Sequence, residues 1–473
     1  MGQEIPRSHF STHDFDAFNQ RLRMETDYLQ SCFTENRFSC LHYTGGFEVE
    51  AWLVDRKNAL PAAVNEEFLL RFNNPNVVSE LALFNVEFNV HPQLLKGNAV
   101  QLLHDDLSLT WKKSRAIACE MCADLMIIGI HPGVRDEDLT LENMSHSKRY
   151  DALNKRVLAM RHGQPLKLDI HGREHLDSVH YDVMLEAAAT SFQIHLQVRP
   201  EKAVRAFNAA RIVSAPLIAI SANAPYVFGH DLWDESRIPL FEQAVDVGEK
   251  QNKRVTFGYD YVDDSLFECF QENLECYPVL LPMCDTDEPV ENLTHLRLHN
   301  GTIWRWNRPL VDYDDDGNLH LRIENRVVPA GPTITDMLAN ATFFWGLVRA
   351  LADNKQAPER LLPFPIVRQN FYNAAHYSLE SSMQWLDGES YLVKDLVHNQ
   401  LIPLAREGMQ ELGVDAGDYN YYLDIILGRI SSGQNGACWQ RKWVSQHGND
   451  MRLLSRAYLQ RQNSGLPVHE WDI

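Results

Sequence analysis

Glu48 and Glu50 stand two residues apart in the stretch Gly45 to Asp55, which reads as a β-strand. Strand side chains alternate, so both carboxylates share one face about 6.8 Å apart, with Phe47, Val49 and Ala51 on the other. Like charges so placed repel and lose hydration on burial unless a cation or strong donors lie between them. A divalent cation with oxygen ligands is the simplest compensation, and an acidic face turned to water is the alternative. Glu80 and Glu87 lie seven positions apart and would point to opposite faces of one regular strand. For both to reach one site, a bulge or turn is needed near Phe84-Asn85. Gln193, His195 and Gln197 share the polar face of an alternating strand, Ser191 to Val198, where His195 is either a satisfied structural residue or a ligand. Arg322, Glu324 and Arg326 share another face, as a surface ion-pair network or as a metal ligand between phosphate-matching guanidinium forks. Five acids and one imidazole with arginines nearby can hold two or more hard cations between strands, magnesium foremost.

The elements that must position these residues follow from periodicity. A leading helix is expected over 13–33, β structure over 77–91 ended by Pro92, and a long helix over 98–123. Leu125 to Ile130 reads as a buried strand ending at His131-Pro132-Gly133, and 134–186 as a polar excursion with Lys148-Arg149-Tyr150 its local standout. Pro200 opens a helix to about Val213, Pro216 to Pro225 reads as a buried strand running into a loop, and Ser236-Arg237 starts another helix. Two β segments are expected at 296–307 and 318–328. Between them Asp312 to Gly317 resembles the start of an EF-hand loop, but the twelfth position is Ile323 where a bidentate Glu is required, so it reads as a hairpin turn. From Thr333 onward the chain is mainly helical, with helices near 333–353, 367–377, 390–413 and 417–431. The division expected is a core over 1–353 and a helical C-terminal region over 354–473 packed on it, with the boundary at 354–366.

A formal charge of −20 argues against nucleic acid or an anionic membrane as the main partner. The polar stretch from Met1 to Asn19 lacks an apolar signal core, and apolar runs such as Leu125 to Ile130 are too short to span a bilayer, so a cytoplasmic protein is expected. Eight Cys in 473 residues are no disulfide framework, and Cys119 and Cys122, at CxxC spacing on a helical stretch, are expected as buried thiols. Zinc is disfavoured because no HExxH or Cys/His quartet occurs. There is no GxxxxGK[ST] loop, kinase signature set or GxSxG elbow, so a phosphate-handling enzyme here would need its metals to orient a triphosphate.

The order of motifs resembles the glutamate–cysteine ligase family 2, the carboxylate–amine ligases, whose active-site fold is similar to that of glutamine synthetase. The matching residues are Gly46 to Glu50, Glu80 with Glu87, Gly129 to Pro132, Arg149-Tyr150, Gln193 to His195, Ser221 to Pro225, Ser236-Arg237 and Arg322 to Arg326. Asn370 to Tyr377 and Gly433 to Arg441 resemble the family's closing helical region. The sequence departs from the pattern at Gln193, before residue 40, and in the aromatic run Trp304 to Asn307.

The resemblance implies an α+β fold in which a curved, mainly antiparallel sheet forms a glutamine synthetase-like funnel with flanking helices. It implies that Glu48, Glu50, Glu80, Glu87, His195 and Glu324 ligate magnesium (or manganese) around ATP. Arg326 and Arg322 would hold the transferring phosphate, and Arg149, Asn223 and Arg237 would contact nucleotide or substrate. The implied reaction joins the γ-carboxylate of glutamate to an amine, foremost cysteine, through an acyl phosphate. Small-molecule partners follow, with a homodimer as the assembly to expect. Competing readings are another amine acceptor, a guanidine phosphotransferase on a related fold, and a catalytically silent binding member.

Overall fold

β1 (Thr44–Asp55) is the axis of an eight-stranded antiparallel sheet that curls into a half-barrel in the computed structural model, which describes residues 5, 7–39, 42–248, 252–283, 287–314 and 316–473. The other strands are β2 (Val77–Ser79), β3 (Asn85–Asn89), β4 (Gln93–Leu94), β5 (Ala123–Met126), β6 (Leu166–His171), β7 (His175–His180), β8 (Phe192–Val198), β9 (Tyr226–Val227), β10 (His230–Asp231), β11 (Asn307–Tyr313), β12 (Leu319–Asn325), β13 (Ser382–Gln384) and β14 (Ser390–Leu392). The main sheet runs β11-β12-β8-β1-β3-β2, with β4 and β5 also paired to β1. One edge of β1 serves β8 over 45–49 and β5 over 52–55, while the other serves β3 over 48–52. Twelve residues make β1 long enough for both.

The helices are α1 (Thr12–Thr34), α2 (Asn65–Phe72), α3 (Ala99–Glu120), α4 (Lys148–Met160), α5 (Ala203–Ser221), α6 (Arg237–Ala244), α7 (Phe267–Cys276), α8 (Thr294–Asn300), α9 (Ile334–Asp353), α10 (Phe364–Tyr377), α11 (Val393–Leu396), α12 (Ile402–Leu412), α13 (Ala416–Ser432), α14 (Gly436–His447) and α15 (Met451–Gln462). Phe47, Val49, Ala51 and Leu53 face the main buried cluster with α5 and α9, whereas Trp52 and Val54 belong to a second cluster beneath α4 and β6. Both faces of the sheet are therefore covered, and the acidic face of β1 does not open to bulk water: Glu48 is 7% exposed. Gly45 allows β1 to approach α9 closely, since a Cβ there would lie 2.7 Å from Leu95 and 2.9 Å from Trp345. The Trp345 indole meanwhile donates to the His195 carbonyl at 3.0 Å, locking α9 against β8.

The turn demanded between Glu80 and Glu87 is present: β2 and β3 form a hairpin whose reversal spans 80–84. Asn65, fully buried at the start of α2, holds it, with Nδ2 3.0 Å from the carbonyls of Ala82 and Asn85 and from Ser145 Oγ. Asn65→Ala removes these three bonds and leaves the Asn85 carbonyl only a long one from the Glu80 amide at 3.5 Å, so a loss of about 1–3 kcal/mol in denaturant unfolding is expected. Wild-type stability would show that the turn is held by its packing alone.

Several expectations are corrected. Pro216 to Ser221 is not a strand but the last turns of α5, buried along its length, because a short apolar run carries no period that separates strand from buried helix. The segment 296–307 is α8 and a connection, and the strand begins only at Asn307. The 390–413 helix is broken into β14, α11, a π turn at Val397–Leu401 and α12. The excursion 134–186 carries α4 and the β6–β7 hairpin. Cys119 and Cys122 are exposed at the end of α3, not buried. The Asp312–Gly317 turn joins β11 to β12 with Gly317 at φ +78°, and Asp315 lies outside the described residues, as do Met1 to Glu4 of the polar leader. Leu362 and Phe364 lie in the same buried cluster as α5 and α9, so apolar packing is continuous across 354–366. Among the described residues, Pro200–Ser221 is long and apolar enough to cross a membrane, and 89% of its apolar window is buried inside the protein.

Candidate active site

Register places the predicted ligands. Glu50 pairs with Glu87 across β1–β3, Glu48 with Gln193 across β1–β8, and His195 with Glu324 across β8–β12. Alternation then turns them to one face, in two groups of three. Glu48, His195 and Glu324 form a buried group, and Glu50, Glu80 and Glu87 form a second, each with ligand atoms within 4.8 Å of one another. All six sequence-predicted ligands are thus brought together. The exposed group Asp169, His171 and His175 on β6–β7 lines neither cavity described here.

In the buried group His195 Nε2 lies 3.6 Å from Glu48 and 3.7 Å from Glu324, too far for hydrogen bonds. His195 Nε2 and Glu48 Oε2 are buried polar atoms with no hydrogen-bond partner among the described residues. Burial, then the Glu87 and Glu324 carboxylates, push the Glu48 carboxyl up to about 8. Burial, then Arg322, push His195 down to about 3, which leaves its imidazole neutral and free to donate a lone pair. Burial opposes ionisation of Glu324, but the Arg308 and Arg326 guanidiniums outweigh it and hold that carboxyl well below its usual range. Arg308 reaches Glu324 with two hydrogen bonds, 2.8 and 2.9 Å.

The second group lines a cavity with Arg149, Tyr150, Glu186, Gln193, Trp304, Arg308 and Arg326. Glu50 is fixed by the Ser191 amide at 2.6 Å, Ser191 Oγ at 3.0 Å and Gln193 Nε2 at 2.9 Å, and Gln193 Oε1 accepts from Arg326. Burial raises the Glu50 carboxyl, and burial with Glu87 and Glu50 raises that of Glu80 well above its usual range. Burial and Glu50 push Glu186 up to about 8. An adjoining cavity of about 320 Å³ shares Arg149, Gly301 and Arg308 with the first and adds Arg297, Asp312 and Arg322. Arg322 and Arg326 therefore face different cavities, with Glu324 between them.

Two expected contacts lie elsewhere. Asn223 is fully buried, its amide donating to the Ala330 carbonyl and Tyr458 hydroxyl at 2.8 Å each, so nothing of it is left for a ligand. Arg237 is 2% exposed and donates to the main-chain carbonyls of Arg326 and Val327, at 3.2 and 2.6 Å. It fixes the backbone that carries Arg326 and lines neither cavity. Sequence reasoning missed Arg308 and Glu186. For Arg308 a signal existed: a hairpin centred on the Asp312–Gly317 turn sets Arg308 opposite Glu324.

The residues present fit a divalent cation. The donors are carboxylate oxygens and one neutral imidazole, two of their atoms are orphaned among the described residues, and the guanidiniums on Glu324 leave the crowding of Glu48, Glu80 and Glu87 only partly offset. The sign of a pH test follows. The Glu48 carboxyl binds its proton more tightly when folded, so its contribution to stability is full below the ordinary 4.5 and is lost as pH climbs toward about 8. A bound cation removes that loss. Magnesium is expected to raise Tm far more near pH 8 than near pH 5, and an equal shift at both would count against the site.

The family model for glutamate-cysteine ligase family 2 matches residues 44–456, a span holding every member of both groups. Among solved structures the chain is similar to the glutamate–cysteine ligase (gshA) from Francisella tularensis in complex with AMP, with TM-score 0.55, 14% identity, and 90% of each chain covered. That likeness shows the fold, a glutamine synthetase-like half-barrel. A bifunctional glutathione synthetase from Pasteurella multocida scores 0.44 at 9% identity over 93% of this chain and 55% of its own. The complex of the ubiquitin-like protein Pup with its ligase PafA scores 0.40 at 10% identity over 89% and 72%. No curated protein matches the chain. With the family's motifs in order along the sequence and the six candidate ligands among them gathered on one face of this sheet, the chain belongs to the glutamate–cysteine ligase family 2 and is a carboxylate–amine ligase.

Proposed function

We propose that this protein is an ATP- and magnesium-dependent ligase joining the γ-carboxylate of glutamate to an amine, with cysteine the acceptor and the cytoplasm its compartment. The observation that carries the reading is the pair of three-ligand groups on one face of the sheet, the second of them lining a cavity with Arg326. The AMP held by the Francisella structure supports an adenine nucleotide as the co-substrate. Magnesium held by Glu48, His195 and Glu324 and by Glu50, Glu80 and Glu87 would neutralise charge on the phosphates.

A carboxylate is a poor acyl donor because its oxygen leaves badly, so ATP first converts it to an acyl phosphate with release of ADP. Attack by the uncharged amine forms the C–N bond and breaks the bond from carbon to the phosphate oxygen. Of the two protons the ammonium loses, one leaves with the phosphate and the other passes to solvent. Arg326, held by Gln193 and Glu324 and by its Arg237-bound backbone, is placed to stabilise the oxyanion and the departing phosphate. Arg322 and Arg149, on the adjoining cationic cavity, suit the outer phosphates of the nucleotide.

The test is ADP release with glutamate, magnesium and a panel of amines. Release that depends on glutamate and rises with cysteine is expected. Stimulation by a different amine instead of cysteine reassigns the acceptor, and a phosphoguanidine product with no amide overturns the ligase reading.

A further inference from the structure

Two side chains on the carboxylate cavity are held by no direct contact, although the Arg326 and Arg149 guanidiniums act on Glu186 across it. The Arg149 guanidinium and the Glu186 carboxylate make no hydrogen bond or ion pair with any described residue, whereas Glu50, Glu324 and Arg326 are all engaged. Glu186 is not one of the six candidate ligands. It sits on the short helical turn Met184–Ala188, which packs on α6 and is pinned to α4 where the Val183 amide meets Asn154 Oδ1 at 3.1 Å. The turn and α4 thus form a roof over the sheet, and Leu153, Val183 and Trp304 give the same cavity an apolar wall.

A part-buried carboxylate with no direct hydrogen bond or close ion pair is costly to ionise even with guanidiniums across the cavity, and a cationic group arriving with a ligand removes that cost. Glu186 lines one cavity with Glu50, Glu80 and Glu87, the group where the acyl phosphate would form. The attacking nitrogen must come within about 3–3.5 Å of the acyl carbon, whereas the α-ammonium of the donor glutamate is four bonds away from it. A carboxylate at this place meets the incoming nitrogen rather than the donor's.

Resting on the ligase reading above, we propose that Glu186 and the apolar wall of Leu153, Val183 and Trp304 form the acceptor subsite. The carboxylate receives the ammonium of a primary amine, and the wall takes a small apolar side group. Cysteine belongs to that class, and its soft thiol suits such a wall.

The test compares a charged acceptor with an uncharged one. Hydroxylamine is uncharged near neutral pH and attacks acyl phosphates, giving a hydroxamate read by its iron complex. Cysteine, methylamine and 2-phenylethylamine arrive as ammonium ions. With ATP and glutamate, Glu186→Gln is expected to raise KM for the ammonium acceptor that wild type uses by about tenfold or more, with KM for glutamate and for hydroxylamine within about twofold. Glu186→Asp should recover part of the loss. The subsite is overturned if both acceptors suffer equally, if neither does, if KM for glutamate rises instead, or if wild type makes hydroxamate but uses none of the three ammonium acceptors. A magnesium requirement raised equally for both acceptors also overturns it and assigns Glu186 to a metal. Wild type that makes no hydroxamate at all sinks the ligase reading instead, so the two failures are distinct.

Discussion

Glu48→Gln is expected to lower turnover by about 10²–10³-fold while making the metal-free protein more stable near pH 8. The two effects share one cause. Burial and two neighbouring carboxylates hold the Glu48 carboxyl up to about 8, so ionising it works against folding. Glutamine keeps the shape and removes the charge. In metal-free protein Tm should rise by several degrees near pH 8, and the gain should shrink toward pH 5 and vanish below the ordinary 4.5, where the wild-type side chain is protonated both folded and unfolded. With magnesium present the order reverses, because only the wild type can bind it tightly. Unchanged turnover, or a variant less stable than wild type at both pH values, would show that Glu48 is a structural residue.

Arg308→Leu tests the other side of the same site. Glu324 is fully buried and Arg308 is 1% exposed, so the bidentate pair has almost no water to fall back on. Removing the cation leaves a buried carboxylate short of its partner, at a cost of about 3–5 kcal/mol, which urea unfolding would register as a large drop in midpoint. Replacing both residues by leucine should recover much of that stability, because the uncompensated charge goes with the pair, yet turnover should stay lost. A single variant as stable as wild type would mean that Arg308 does not hold Glu324 in solution. The comparison separates positioning a ligand from holding the sheet together, since only the first is lost in the double variant.

How far the site could be read from the chain differs from residue to residue. Glu48 and Glu50 were legible because strand parity is local: two residues apart on a strand means one face, whatever surrounds it. The same arithmetic, run as a contradiction, required a reversal between Glu80 and Glu87, and the β2–β3 hairpin supplies it. Asn223 and Arg237 sat in recognisable motifs too, but a motif does not say which way a side chain is used. Both turned inward to satisfy main-chain carbonyls that no local pattern reveals. Pro216 to Ser221 was misread for the opposite reason, since a helix buried on every side has no polar face to betray its period.

The sequence alone determined the chemistry available: which residues carry carboxylates and imidazole, which of them share a strand face, and that no P-loop or zinc motif competes with oxygen-ligated metal. Only the tertiary structure decided that six ligands from five strand and turn segments divide into two groups of three, that Arg308 pairs with Glu324, and that Glu186 lines the cavity with no direct hydrogen bond or ion pair to a described residue. The reason is that strand register and the docking of α4 over the sheet depend on contacts between residues more than a hundred positions apart, and alternation carries no information at that range.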